Sequence, residues 1–243
     1  MAGHSKWANI QHRKKRQDNK RGKLFTKLIK EITVAAREGG GDADSNPRLR
    51  LALDKAFSGN MNKETVEKAI NRGTGNLEGV NYEELTYEGY SSSGVAVIVE
   101  CVTDNKNRTV AEVRHAFSKF SGNLGSSGSV SYLFKKVGII SYEDTSKGDE
   151  IVDLAIENNA SDVIQEDNYV EIQTDKDDYL NITKVLKDNN YIFDNADLEM
   201  IADIKIELNE EGAESFMKFT DALEELDDVQ NVYTNAEYAG ELD

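Results

Sequence analysis

Residues 137–200 read VGIISYEDTSKGDEIVDLAIENNASDVIQEDNYVEIQTDKDDYLNITKVLKDNNYIFDNADLEM, and the order of periodicities within them decides the fold. VGIISYE, DVIQED, YVEIQT and YIFDNADLEM carry strand patterns. DEIVDLAIENN and DYLNITKVLKD instead repeat their apolar residues at three and four positions, as helices do. The resulting order is βαββαβ, that of a ferredoxin-like split unit, and it is complete within residues 135–203.

The pieces on either side are incomplete. Upstream, ELTYEGY and GVAVIVECVT are strand candidates, the second apolar enough to be central. NRTVAEVRHAFSKF follows as a helix with Val110, Val113, Ala116 and Phe117 inward, and SVSYLF reads as another strand. Downstream, the last forty residues read βαβ: IKIEL, a helix using Phe216, Phe219, Leu223 and Leu226, then VQNVYT. So short a piece buries too little surface to fold alone, and its natural complement is the ββαβ of residues 79–134. We therefore expect a discontinuous α+β domain, 79–134 plus 204–243, with an acidic third domain, 135–203, inserted in it.

Ahead of these lies a helical region. Phe25, Leu28, Ile29, Ile32, Ala35 and Ala36 form one apolar face, while Lys20, Lys23, Lys27 and Lys30 line a different side. Gly39-Gly40-Gly41 ends this helix. Asn46-Pro47 opens a second, since asparagine caps free amides and proline lacks an N–H that would be unpaired there anyway. Leu49, Ala52, Leu53 and Ala56 point inward. A third helix begins near Lys63, with Val66, Ala69 and Ile70 inward, and stops at Gly73. The fold class expected is α+β and multi-domain: a basic three-helix domain, 1–78, followed by two α/β sandwich (ferredoxin-like) domains, the third inserted in the second.

Charge divides along the same lines. The 243-residue chain carries a net charge of -16, yet residues 1–37 hold eleven Lys/Arg against Asp18 and Glu31, a local balance of +9. Residues 79–243 stand at -24, with 12 cations against 36 acids. A basic arm on an acidic body is the pattern of a polyanion binder. The candidate nucleic-acid contacts are Lys6, Arg13, Lys14, Lys15, Arg16, Lys20, Arg21, Lys23, Lys27 and Lys30, with Trp7 among them. The ring of Trp7 either stacks on an unpaired base or plugs the arm onto the helices.

Other chemistry is excluded by what the residues lack. No apolar run approaches the ~18 residues of a membrane span, and no apolar segment follows the N-terminal basic residues as in a secretory signal. Cys101, the single cysteine, reads as a buried strand thiol and fits a reducing, cytoplasmic setting. There is no phosphate loop, nucleophile elbow or HExxH helix. The acidic turns at Asp42 and Asp175 lack the glycine and chelating glutamate of a calcium loop. His4, His12 and His115 have no cysteine pair with which to hold zinc. No catalytic residue, metal, cofactor or membrane partner is expected. One loop keeps two readings: Gly122, Gly125, Ser126, Ser127 and Gly128 either form an amide nest for phosphate or simply connect a helix to a strand.

Taken together, MAGHSKWANIQHRKKRQD, RGKLFTKLIKEITVAAREGG, NPRLRLAL, EKAINRGTG and the long run from YEGYSSSG to SVSYLF resemble the YebC family. The likeness is close to about Ile140 and looser beyond. It departs at Asn62 and at Ser92 or Ser93, where the family often has proline, a change that loosens a turn without removing charge. The resemblance implies three domains and a cytoplasmic, non-enzymatic regulator of gene expression. Some members are labelled DNA-binding transcriptional regulators; others are ribosome-associated translation factors. The partner implied is thus nucleic acid, either rRNA on the ribosome or DNA. The link from Gly39 to Asn46 reads as too long and mobile for a helix-turn-helix, which tilts the reading toward structured RNA.

Overall fold

The computed structural model describes residues 21–238. The chain is α+β and divides into two compact units: one runs to Ser131 and resumes at Ile204, the other is Tyr132–Asp203.

The first unit begins with three helices: α1 (Arg21–Gly39), α2 (Pro47–Ser58) and α3 (Lys63–Gly73). Leu28, Ile32, Ala35 and Ala36 of α1 pack with Leu49, Ala52, Ala56, Val66 and Ala69 of its neighbours, so the helical spacing read from sequence becomes one apolar core. Gly73 marks the closest approach of α3 to α1. A Cβ there would stand 2.3 Å from the Thr33 carbonyl oxygen and 2.8 Å from the Ala36 methyl, so no larger residue fits without parting the helices.

The link from Gly39 to Asn46 is pinned rather than mobile, which corrects one expectation. Asn46 is buried; its side-chain amide donates to the carbonyls of Ala35 and Gly40, both at 2.8 Å. Its Oδ1 accepts from the Leu49 amide and caps α2. Asn62, standing where the family often has proline, caps α3 by accepting from the Glu64 amide at 2.8 Å.

The body of this unit follows. Strands β1 (Glu83–Tyr90) and β2 (Ala96–Thr103) form an antiparallel hairpin, α4 (Lys106–Lys119) crosses over, and β3 (Asn123–Leu124) returns beside β1. After the second unit come β8 (Ile206–Leu208), α7 (Glu210–Glu224), β9 (Val229–Thr234) and β10 (Ala236–Tyr238). The sheet order is β3-β1-β2-β9, with β8 and β10 as a separate parallel pair. Strand β2 is interior and buried nearly throughout, as its unbroken apolar run required. Val97, Val99, Val113, Phe117, Phe216, Phe219 and Leu223 make the core, with Phe117 and Phe219 edge to face at 5.0 Å. SVSYLF is not a strand. Ser131–Leu133 is a short 3-10 turn, only Phe134 belongs to a strand, and the strand that follows α4 is the two-residue β3.

The second unit contains β4 (Phe134–Tyr142), α5 (Gly148–Glu157), β5 (Ala160–Glu166), β6 (Tyr169–Asp175), α6 (Tyr179–Asp188) and β7 (Asn195–Ala202). Its sheet order is β5-β6-β4-β7 and every neighbouring pair is antiparallel, the arrangement of a ferredoxin-like split βαβ. Ile140, Ile172, Ile182 and Leu186 are fully buried. Among the described residues, no helix is long and apolar enough to cross a membrane.

Candidate nucleic-acid interface

Lys6, Trp7, Arg13, Lys14, Lys15, Arg16 and Lys20 lie outside the described residues. Arg21 opens α1. The structure does place the remaining three candidates, Lys23, Lys27 and Lys30, and it places them against the chain itself.

Helical spacing puts these lysines on one stripe of α1, and the stripe faces the turn between α7 and β9. Lys23 Nζ donates to the Glu225 carbonyl at 2.5 Å and pairs with the Glu225 carboxylate at 2.6 Å. Lys27 Nζ donates to the Gln230 carbonyl at 3.3 Å. Lys30 is buried, and its ammonium donates to the carbonyls of Val102 and Asp227 and to the Asp228 carboxylate, the last two at 2.8 Å. All three N–H groups of Lys30 are thereby satisfied, the condition for burying an ammonium at all. Lys30 as a nucleic-acid contact is therefore corrected: it is a structural cation that joins the helical segment to the sheet.

Asp228 is the hub of that junction. Its Oδ1 accepts from Lys30, while its Oδ2 accepts from Thr103 at 3.0 Å, Thr109 at 2.8 Å and Arg108 Nη2 at 2.7 Å. Its backbone carbonyl also accepts from the Val102 amide. Burial alone would raise this carboxyl, but the hydrogen bonds from Lys30, Arg108 and Thr109 outweigh it and hold the group at about 2. Nearby Cys101 is pushed up to about 12, first by burial and then by the Asp228 charge, which leaves an inert thiol.

Two further cations of the helices turn the same way. Arg48 grips Glu31 with two nitrogens at 2.7 and 3.0 Å, Glu38 at 2.7 Å and Glu84 of β1 at 2.6 Å. Arg37 donates to the Asn81 side chain at 2.6 Å. Much of the positive charge on the described helices is thus spent on holding them to the acidic body.

The glycine loop holds an anion, but an internal one. The Glu88 carboxylate accepts from the amides of Gly128, Val130 and Ser131, each at 2.8 Å, and the Glu88 carbonyl accepts from the Gly125 amide at 2.8 Å. Gly128 takes φ +85°, a conformation that costs side-chain-bearing residues. A Cβ on Gly125 would meet Ser129 Oγ at 2.6 Å. Burial works to raise the Glu88 carboxyl, yet the three backbone amides hold it below its ordinary value. Of the candidate loop residues, Gly128 gives its amide to this carboxylate, while the amides of Gly125 and Gly122 go to the carbonyls of Glu88 and Phe117. The occupant escaped notice because Glu88 lies forty residues upstream of Gly128.

Known relatives match nearly the whole chain. Residues 5–76 match the model of the TACO1/YebC protein N-terminal domain, and residues 82–236 match that of the TACO1/YebC second and third domain. The chain belongs to the TACO1/YebC family. It is 54% identical to a probable transcriptional regulatory protein of Idiomarina loihiensis and 56% identical to one of Nitrosococcus oceani. Both alignments cover the whole chain and 98% of the relative. The crystal structure of a conserved hypothetical protein from Aquifex aeolicus superposes with a TM-score of 0.84 at 44% identity, covering 93% of each chain.

Proposed function

We propose that the chain is a nucleic-acid-binding, non-enzymatic regulator of gene expression, and that it acts in the cytoplasm as a ribosome- and rRNA-associated translation factor. The carrying observation is the concentration of charge that remains once α1 is accounted for. With Lys23, Lys27 and Lys30 held by the body, residues 1–20 still carry Lys6, Arg13, Lys14, Lys15, Arg16 and Lys20 against a single acid, Asp18. Phosphate neutralisation requires such a cluster with little acid nearby. Trp7 within it offers a ring for an unstacked base.

The outer face of α3 supports RNA over duplex DNA. A duplex reader presents the first turns of a helix to base edges. Here those turns carry Glu64 and Glu67 beside Lys63 and Lys68, with Lys68 held by Glu64 at 2.6 Å. Such paired charges are a poor match to a phosphate-lined groove. The second reading, a DNA-binding transcriptional regulator, is favoured by the names its relatives carry.

Sedimentation of the native protein with ribosomes in excess duplex DNA tests the choice. Co-sedimentation should persist, should be lost when Arg13, Lys14, Lys15 and Arg16 are all replaced by glutamine, and should weaken in Trp7→Ala. With six to eight phosphates neutralised, affinity should fall with salt at a log–log slope of roughly −4 to −7. Release of the native protein by duplex DNA, together with one promoter bound far more tightly than random DNA, would decide for transcription.

A further inference from the structure

The lysine stripe of α1 meets an unusual surface. Glu225, which caps the C-terminal end of α7, presents a carbonyl and a carboxylate to Lys23, and the turn continues with Asp227 and Asp228. A helix C-terminus carries partial negative charge, so carbonyls and carboxylates here together present lysines with what a run of phosphates would present. The contacts differ sharply in exposure along the stripe. Side-chain exposures are 37% and 54% for Lys23 and Glu225, against 9% and 3% for Lys30 and Asp228. Beside them opens a cavity of about 680 Å³, lined by the cations Lys23, Lys30 and Arg108 and by the carboxylates Asp104, Glu112, Glu225, Asp227 and Asp228.

We infer that the turn Glu225–Asp228 is an internal phosphate substitute: it holds Lys23 when no nucleic acid is present and yields it to phosphates when nucleic acid binds. Lys30–Asp228 remains closed throughout and serves as the pivot. The turn is thereby a competitor in cis that lowers affinity for weak polyanions, since each must first displace a carboxylate. This inference rests on the nucleic-acid reading above and adds to it a regulatory contact within the chain.

The test uses the full chain and a fluorescein-labelled, mixed-sequence 20-nucleotide single-stranded RNA, followed by anisotropy at low salt. Glu225→Gln removes the competitor. Glu214→Gln removes the same charge from α7 but acts on Lys218, not on α1. Glu225→Gln should bind about two- to five-fold more tightly than native protein, the range expected for losing one exposed ion pair, and Glu214→Gln should be nearly unchanged. Hydrogen exchange in the 225–230 segment of the native protein should quicken on adding the RNA. Equal gains in the two variants, or exchange that stays constant or slows, would overturn the inference while leaving nucleic-acid binding intact. If the native chain binds neither this RNA nor duplex DNA, the functional reading itself falls, and that is seen before any variant is compared.

Discussion

Among the described residues of the first unit two carboxylates are buried, and the chain neutralises them by opposite means. Asp228 is met by an ammonium, a guanidinium and two hydroxyls; Glu88 is met by backbone amides. The amides that hold Glu88 come from one short loop, so that site fixes local geometry. The partners of Asp228 come from α1, β2 and α4, so that site ties the helices to the sheet. A charged partner on a long side chain reaches across an interface, whereas an amide nest shapes only the backbone that forms it.

The sharpest way to break this comparison is Asp228→Asn. It leaves Lys30 buried with its charge uncompensated, and removing one partner of a buried pair typically costs about 3–5 kcal/mol. Urea unfolding should show that loss, and adding Lys30→Met should recover part of it by removing the stranded ammonium. If the single variant lost less than about 1 kcal/mol, the account of Asp228 as a hub would fail.

Glu88→Gln should cost less, about 1–3 kcal/mol, because the new NH2 group turns donors toward donors while the shape is kept. The effect should stay local: exchange at the amides of Gly128, Val130 and Ser131 should speed up, with exchange in α1 unaltered. Equal acceleration in α1 would show that the two sites are one cooperative system.

These two sites also mark where the sequence was legible and where it was not. Period and order were enough for the βαββαβ of the second unit, because the signal for each element is local, even though β4 pairs with β6 and β7 rather than with β5. The Asn46-Pro47 start of α2 was legible for the same reason: its cap is three residues from the amide it serves. Lys30 was misread because its spacing within α1 looks solvent-facing and its partner is 198 residues away. Lysine is almost never fully buried without a partner, so nothing local could announce the burial. Strand β3 was missed because two residues at a sheet edge leave no period to detect. The six arm cations from Lys6 to Lys20, legible as a charge cluster, carry the proposed function together with Trp7.

Acid sharpens the contrast at a smaller scale. Both carboxyls are held below their ordinary values, so each contributes stability that is present above about pH 4 and is lost as pH falls toward the folded-state value. For Asp228, held at about 2, the whole contribution is about 2 kcal/mol, of which about 1 kcal/mol disappears between pH 5 and pH 3. The stability gap between native protein and Asp228→Asn should therefore narrow by that amount over the interval. A gap independent of pH would mean that the Asp228 charge is not what Asn removes.

The smallest effect should come from Lys23, four and seven residues before Lys27 and Lys30 on the same stripe. Exposed ion pairs contribute about 0.2–1 kcal/mol, because water screens them and ordering two long side chains costs entropy. Lys23→Gln should accordingly lower stability by less than about 1 kcal/mol, and the loss should vanish in high salt, where surface attraction is screened. Lys30→Met should behave differently: it strands Asp228 with only Arg108 and the two threonines, and salt should not rescue it. Urea unfolding of both variants at low and high salt makes the comparison. If Lys23→Gln proved as costly as Lys30→Met, the stripe would be uniformly structural, with no exchangeable end for a polyanion to take. If both proved negligible, the helices would be held to the sheet mainly by other contacts such as that of Arg48 with Glu84 of β1.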